Sequence, residues 1–239
     1  MKLKYCLPTY GILEHICIDQ IKLNDLINCV HELESEFKSV LEINKELCGI
    51  HHELVKNVYD NFFQIALTDT SVNNQEITLD ECEISHTQLN QSGNFSSYKR
   101  KKSLVIDETS VFNEAKYTIR TEIYNRYKSL FDHIIRKIKG NPTRIRLVKL
   151  SAGSSISPHI DYDPSYAVRI IIPIISDQNC VNLFWIKNSL ESVSLVPGNA
   201  YFLNTGFKHA VINFSKHDRY TLMISVNGTE DIQPLLRSL

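Results

Sequence analysis

A run of short apolar segments after residue 140 constrains the fold of this chain most strongly. Gly140-Asn141-Pro142 ends a helical pattern, and from Arg144 the apolar residues largely alternate with polar ones, which is the period of a strand. Gly, Pro, Asn and Asp separate the predicted strands, which are 144–150, 167–175, 181–186, 193–196, 200–203, 210–214 and 220–226. Short strands with such turns predict an antiparallel sandwich or barrel, here a jelly roll.

The first 140 residues are predicted to be mainly helical. Apolar residues recur every three or four positions from Leu23 to Leu41, with Asn24 or Asp25 available as N-cap, and again from Leu54 to Ile65. The longest such pattern runs from Phe112 to Ile138. We expect these helices to bury their apolar faces against the outside of the sheet, which makes the chain an α+β protein.

The stretch between the helices, residues 68–103, is polar. A loop of this length is often functional, so we interpret it as a connection and a candidate lid over a site. Its basic run, 99–102, is interpreted as a solvated turn, and a short strand is predicted at 104–106. We therefore divide the chain into a helical region with a polar loop, 1–140, and a β core, 141–239, packed as one integrated domain.

Composition narrows the classes of partner. The 26 Lys and Arg nearly balance the 27 Asp and Glu, so no large field draws the chain to nucleic acid or to an anionic membrane. The six cysteines show no C-x-x-C spacing and are interpreted as free thiols in a reducing compartment. No segment approaches the roughly 20 apolar residues that cross a bilayer. We expect a soluble, cytoplasmic protein with a small-molecule substrate, and the oligomeric state stays open.

A His-x-Asp pair and a distant histidine predict a metal site. His159 and Asp161 point the same way if they lie in one strand, and His209 can supply a third ligand from another strand. Two imidazoles and one carboxylate on one face of a metal are typical of non-haem Fe(II) oxygenases, because the other positions stay open. The rival pair in 51–53 falls in a helical pattern, where positions i and i+2 do not face each other.

Two arginines suit a carboxylate ligand. Arg219 follows His209 by ten positions, and a guanidinium binds a carboxylate through two hydrogen bonds even when it is partly buried. Thr221 lies on the same face of the predicted strand and can add a hydroxyl. Arg169 stands in an apolar run, where its charge needs a partner. That partner is either a dicarboxylate cosubstrate or, for an outward arginine, Asp161 or Asp163.

These motifs resemble the Fe(II)/2-oxoglutarate-dependent dioxygenases of the aspartyl/asparaginyl β-hydroxylase-like family, which includes proline cis-hydroxylases. The resemblance covers about the last 85 residues, and no family is recognised in the first 140. The matching segments are Arg144-Ile145-Arg146-Leu147, Pro158-His159-Ile160-Asp161, Arg169, Pro197-Gly198-Asn199-Ala200-Tyr201-Phe202-Leu203-Asn204, His209-Ala210-Val211-Ile212-Asn213 and Asp218-Arg219.

The resemblance implies a fold, a set of cofactors and roles for the residues. The fold is a double-stranded β-helix, the cupin-like jelly roll, and the cofactors are Fe(II), 2-oxoglutarate and O2. His159, Asp161 and His209 are the implied iron ligands. Arg219 is implied to grip the distal carboxylate of 2-oxoglutarate, and Arg169 to lie near the end that chelates iron.

The same resemblance implies hydroxylation of an unactivated C–H bond, with succinate and CO2 as co-products. The substrate would be an amino acid, or an amino-acid residue in a peptide or natural-product precursor. The chain has Ile171 where the family often has a histidine. Some β-hydroxylases for protein substrates lack the carboxylate ligand, whereas this chain keeps Asp161, so the resemblance places it nearer the small-molecule hydroxylases and away from the halogenases. Tyr162 and Trp185 are candidate substrate contacts at the barrel mouth, although Trp185 also suits the core.

Other functions stay open at this point. A 2-oxoglutarate-dependent desaturase or cyclase uses the same site residues, so the motifs do not exclude it. A jelly-roll module that binds a metal or ligand without turnover is the alternative from another class. A nucleic-acid demethylase finds little support in the balanced charge.

Overall fold

The computed structural model describes residues 3–39, 61–70, 114–161, 163–227 and Leu235. None of the helices in this part of the chain is long and apolar enough to cross a membrane. The α-helices are α1 (Gln20–Glu32), α2 (Glu122–Arg126) and α3 (Lys128–Ile135). The strands are β1 (Tyr10–Ile12), β2 (Lys38–Ser39), β3 (Phe62–Ala66), β4 (Thr68–Thr70), β5 (Tyr117–Arg120), β6 (Pro142–Leu150), β7 (Ser155–His159), β8 (Ala167–Ile175), β9 (Cys180–Ile186), β10 (Ser189–Ser194), β11 (Tyr201–Leu203), β12 (Lys208–Asn213) and β13 (Arg219–Asn227).

Two antiparallel sheets form the centre of the fold. The large sheet has the order β1-β11-β8-β13-β6-β3-β2, and the small sheet has the order β10-β9-β12-β7. From β6 to β13 the chain passes repeatedly from one sheet to the other, and its first and last strands in this run are neighbours in the large sheet. This connectivity is a double-stranded β-helix, so the predicted fold class is confirmed. Strands β4 and β5 form a separate ribbon.

The large sheet is covered on both faces. Its outer face packs on the helices through a cluster that includes Val168, Ile170 and Ile172 of β8 together with Leu26 of α1 and Phe131 of α3. Its inner face packs on the small sheet through two smaller apolar clusters. Full burial of one such side chain contributes roughly 1.5–3 kcal/mol, so both layers stabilise the barrel that holds the site.

The first helix differs from its prediction at both ends. Asp19 is the N-cap of α1, where its carboxylate accepts a hydrogen bond of 2.8 Å from the amide of Lys22. Asn24 and Asp25, the predicted caps, therefore lie inside the helix. The helix ends at Glu32 with Leu33 as its C-cap, and the chain continues through a 3-10 turn, Glu34–Glu36, into β2 instead of remaining helical to Leu41.

The predicted helix from Leu54 to Ile65 is wrong where the structure describes it, because Phe62–Ala66 is strand β3. Phe62 packs inside the barrel, whereas Ile65 packs on the outer face of the same sheet. A sheet that is covered on both faces buries odd and even positions alike. Apolar residues three apart can then imitate the period of a helix. Leu54 and Val58 lie outside the described residues.

The long helix predicted from Phe112 to Ile138 is confirmed only in its second part. Residues 114–120 form a 3-10 turn and then β5, which pairs with β4. Thr121 caps α2 by accepting a hydrogen bond of 3.3 Å from the amide of Tyr124. Of the predicted polar loop, Thr68–Thr70 is strand β4. The rest of that loop and the strand predicted at 104–106 lie outside the described residues.

The predicted strands from Arg144 onward are confirmed, with one shift. The strand predicted at 193–196 is β10, which begins and ends earlier, at Ser189–Ser194. Strands β1 to β3, which precede residue 141, join the large sheet. The division of the chain at residue 140 stays a prediction.

A buried carboxylate attaches the 3-10 turn at Glu114 to the large sheet. Glu114 is 2% exposed and accepts hydrogen bonds from Arg144 (2.5 Å), from Arg169 (3.1 Å) and from the hydroxyl of Ser225. Burial alone would raise the pKa of Glu114, but the charges of the nearby arginines more than offset it and hold that pKa well below the ordinary value. Glu114 is therefore ionised at neutral pH.

We expect Glu114→Gln to lower the free energy of unfolding at pH 7 by about 3–5 kcal/mol, because it leaves Arg169 buried without its nearest counter-charge. A carboxyl with a depressed folded pKa stabilises the protein above its unfolded pKa, and this contribution is lost as the pH falls toward the folded pKa. Urea unfolding at pH 7 and pH 4 measures both effects, and the variant should lose less stability on acidification than the wild type.

Asp25→Asn is the matched control for this prediction. Asp25 forms an exposed ion pair of 2.8 Å with Lys22, and exposed pairs contribute little to stability. A Glu114→Gln protein as stable as the Asp25→Asn protein at pH 7 would contradict the structural role of Glu114.

Candidate metal centre and active site

Two histidines meet where β7 and β12 pair. The antiparallel register places His209 opposite His159, and their ring centroids are 4.3 Å apart. Asp161 lies just beyond β7, with its amide bonded to the carbonyl of Thr205 at 3.0 Å. Its Oδ1 is 3.6 Å from His159 Nε2, and its Oδ2 is 3.9 Å from His209 Nε2. Strand β7 ends at His159, so Asp161 lies two residues beyond the strand, and the two side chains still converge as predicted.

Hydrogen bonds orient both imidazoles toward Asp161. Nδ1 of His159 is 2.7 Å from the carbonyl oxygen of Ser157, and Nδ1 of His209 is 3.0 Å from that of Phe207. A carbonyl only accepts, so each Nδ1 carries a proton, and Nε2 is the ring nitrogen that faces Asp161. Metal-binding histidines commonly have such a backbone partner, which holds the ring in position.

The charge states also suit a divalent cation. Burial, helped by the neighbouring His159, lowers the pKa of His209 to about 4, so this ring is neutral at pH 7. Burial alone would raise the pKa of Asp161, but His159, His209 and Arg169 together hold it below its ordinary value. One donor atom from each of the three side chains lies within 4.8 Å of the others. Two imidazoles and one carboxylate are a donor set that divalent iron accepts.

An aromatic ring, Phe184, forms one wall beside His209. Phe184 of β9 is fully buried, and its ring lies 6.0 Å from that of His209 at an interplanar angle of 25°. Directly paired residues share a face, so Phe184 faces the barrel interior with His209. Trp185, a predicted substrate contact, lies on the opposite face of the sheet, where its ring contacts Lys208. Phe184, and not Trp185, therefore lies beside the two histidines. The other candidate substrate contact, Tyr162, lies outside the described residues.

Arg219 lies at the start of β13 with Thr221 two residues on, and both are buried on the inner face. Within the described part of the chain, no carboxylate lies within ion-pair distance of Arg219, and its Nε has no partner. The thiol of Cys180 contacts the guanidinium, and burial raises the pKa of that thiol, so it brings no negative charge. A buried cation with an unsatisfied donor fits the carboxylate of a ligand.

Arg169 lies between Glu114 and the triad. It is 5% exposed, and its Nη2 is 3.1 Å from Glu114 and 3.6 Å from the nearer oxygen of Asp161. Arg169 thus pairs with Asp161 inside the barrel, not from its outer face. Asp163, the other partner considered, bonds to Ser165 and to the backbone of Lys4.

Three residues of this interior were not predicted: Glu114, Phe184 and Arg146. Glu114 is distant in sequence from the residues that it contacts, so no spacing connects it to them. Phe184 is one position from the predicted residue, Trp185. When both faces of a strand are buried, the sequence does not show which residues face the barrel interior. Arg146 could have been found from the sequence. It lies on a strand whose other inward side chains, Val148 and Leu150, are apolar, and a charged residue in that pattern suggests a functional role.

Comparison with known proteins identifies the family. The model of the Aspartyl/Asparaginyl beta-hydroxylase family matches residues 77–228, which is more than half of the chain. The match begins well before Arg144 and includes Glu114, so the resemblance reaches further upstream than the motifs indicated. No curated protein sequence matches the chain.

Solved structures of related shape share little sequence with this protein. An oxidoreductase of the 2OG-Fe(II) oxygenase family from Burkholderia pseudomallei is 10% identical over 92% of this chain and 84% of that chain, with a TM-score of 0.48. A prolyl-4-hydroxylase from Pseudomonas putida is 10% identical over 94% and 95% of the two chains, with the same TM-score. A cupin domain from Bordetella pertussis is 18% identical over 38% and 86%, with a TM-score of 0.29.

These TM-scores are low, so the assignment depends on the sequence match. That match covers all three residues of the His159, Asp161 and His209 triad, together with Arg219. The chain belongs to the aspartyl/asparaginyl β-hydroxylase family and is a 2-oxoglutarate-dependent non-haem iron dioxygenase.

Proposed function

We propose that the enzyme hydroxylates an unactivated C–H bond of an amino acid, or of an amino-acid residue in a peptide or natural-product precursor. In this proposal 2-oxoglutarate is converted to succinate and CO2. The observation that carries it is the convergence of His159 Nε2, His209 Nε2 and the Asp161 carboxylate on one point in the barrel. A buried arginine without a counter-charge, Arg219, lies on the inner face of the same barrel.

His159, Asp161 and His209 would hold Fe(II) in this proposal. With 2-oxoglutarate and O2, the iron supplies the oxidising power that an unactivated C–H bond requires. The chain contributes geometry: the Nδ1 protons of both histidines are already committed to backbone carbonyls, so the rings need no reorientation when the ion binds. Because the chain would supply only these three ligands, other coordination positions would stay available to the cosubstrate and oxygen.

Arg219 and Thr221 would hold the distal carboxylate of 2-oxoglutarate. Both side chains project from one strand, so the carboxylate is bound by groups with a fixed separation. The apolar inner face around them, which includes Ile171 and Leu150, excludes water and strengthens the charge-assisted hydrogen bonds. A cosubstrate held in this way presents its other end in one orientation.

The metal ligands are tested first. We expect His209→Ala and Asp161→Ala to weaken Fe(II) binding by more than the roughly 10–100-fold that loss of an outer-sphere partner costs, and to abolish succinate formation. The measurement is anaerobic titration of the metal-free protein with Fe(II) and 2-oxoglutarate, following the weak visible band of a chelated 2-oxo acid. Thermal unfolding of each variant checks that the fold is retained.

His217→Ala serves as the control, because His217 is exposed on the turn before β13. It should retain the band at wild-type intensity. Normal succinate formation by His209→Ala would remove the proposed centre. Absence of both metal and band in the wild type would instead favour the non-catalytic jelly-roll module.

The cosubstrate site gives a separate prediction. Arg219→Gln should weaken 2-oxoglutarate binding by roughly 10- to 100-fold, because a hydrogen bond to a charged group contributes about 1.5–3 kcal/mol. Fe(II) affinity should be unchanged, since Arg219 is outside the ligand set. Arg219→Lys should recover part of the loss, because lysine keeps the charge but not the planar pair of donors.

Arg126→Gln is the matched control, since this arginine pairs with Glu36 at 2.9 Å on the protein surface. It should bind 2-oxoglutarate like the wild type. The dependence of the visible band on 2-oxoglutarate concentration measures all three variants. Equal cosubstrate affinity in the wild type and in Arg219→Gln would exclude Arg219 as the carboxylate anchor.

A further inference from the structure

Arg146 is a cation inside the barrel whose hydrogen-bond partners are weak. It lies on β6 opposite Met223 of β13. Its Nε and Nη2 are 3.3 and 3.0 Å from the sulfur of Met223, and its Nη1 is 3.4 Å from the amide oxygen of Gln64. A thioether is a poor acceptor, and no carboxylate of the described residues lies within ion-pair distance of this guanidinium. Its donors therefore remain available to a ligand.

Two carboxylates near Arg146 are engaged by other groups. Arg144 and Arg169 share the carboxylate of Glu114, and Arg169 also approaches Asp161, a proposed metal ligand. Among the described residues, neither carboxylate lies within ion-pair distance of Arg146. Burial, together with the charges of Arg144 and Arg169, lowers the pKa of Arg146 to about 9, so it is still a cation at neutral pH.

A buried guanidinium without a counter-charge destabilises the folded protein unless an anion binds to it. A divalent metal on the triad would add further positive charge to this side of the barrel. The anion that fits best is a carboxylate, because its two oxygens match the two parallel donors of a guanidinium.

The distal carboxylate of the cosubstrate does not fill this place. Arg219 and Met223, the residue opposite Arg146, are four positions apart on β13, or about 13 Å along the strand. The Arg219 guanidinium contacts Cys180, whereas the Arg146 guanidinium contacts Met223 and Gln64, so we assign the two arginines to different carboxylates.

Arg146 lies opposite Met223, which is two positions from Ser225 on the same strand, and the hydroxyl of Ser225 is 3.2 Å from Nη1 of Arg169. Arg169 in turn approaches Asp161. Arg146 thus belongs to the triad end of the barrel.

We propose that Arg146 binds a carboxylate of the organic substrate, so that the enzyme acts on a carboxylic acid. This inference rests on the proposed function, and it narrows the substrate to molecules that carry a free carboxylate near the oxidised carbon. A neutral carboxamide of the same shape would leave the guanidinium without its counter-charge. The enzyme should therefore discriminate between an acid and its amide.

The test compares matched acid and amide pairs. Wild-type protein loaded anaerobically with Fe(II) and 2-oxoglutarate is titrated with free L-amino acids, with their carboxamides, and with short peptides that differ only by Asp against Asn. Binding is followed by calorimetry and by the shift of the visible band, so the readout does not require turnover. We expect at least one acid to bind roughly tenfold or more tightly than its amide.

Variants at Arg146 locate the source of this preference. Arg146→Gln should remove the discrimination between acid and amide, whereas Arg146→Lys should keep part of it. Both variants should keep the affinity for 2-oxoglutarate within about twofold of the wild type, and Arg126→Gln should behave as the wild type does. Thermal unfolding establishes whether the buried substitutions remain folded, and Arg146→Lys keeps the charge if Arg146→Gln does not fold.

Each contrary outcome has a distinct meaning. If Arg146→Gln loses 2-oxoglutarate affinity instead, Arg146 binds the cosubstrate and the inference is wrong. A panel in which no acid binds better than its amide also overturns it. Failure of the proposed function would appear earlier, as a wild-type protein that forms no visible band before any substrate is added.

Discussion

The register between β7 and β12 is the constraint on which the proposed centre depends. It sets His209 directly opposite His159, and a shift in the register follows immediately, between His209 and Val211. A slip of one residue would turn His209 to the other face of the sheet and remove it from the barrel. The apolar contacts between the two sheets therefore have a chemical role, because they hold the strands in the one register that brings both imidazoles to Asp161.

Several arginine side chains lie in the interior of the barrel. Among the described residues, Arg219 has a neutral thiol for a neighbour and Arg146 has a thioether, whereas Arg169 and Arg144 form ion pairs with the buried Glu114. Unpaired buried cations oppose folding, and anionic ligands relieve that cost. Cosubstrate binding and conformational stability should thus be linked, since a ligand that binds only the folded state stabilises it by mass action.

The sequence predicted the β core better than the helices, for one physical reason. Strands that are buried on both faces appear as continuous apolar runs, and β8 was found to the residue in this way. Because both faces are buried, Phe62 and Ile65 have the spacing of a helix. For the same reason the sequence does not show which of Phe184 and Trp185 faces the barrel interior. His159, Asp161 and His209 were found from residue type and spacing. Glu114 was not, because its partners are brought to it only by the tertiary fold.

The position of β8 in the large sheet has a consequence for synthesis of the chain. Both neighbours of this strand, β11 and β13, come later in the sequence, and β13 begins only at Arg219. A ribosome-bound chain therefore displays the run from Val168 to Ile172 before either edge of the strand can be paired. Sheets closed by such distant pairings form slowly and leave apolar edges open in the meantime. The yield of soluble protein should thus depend on how quickly β13 pairs with β8 and β6 to close the barrel.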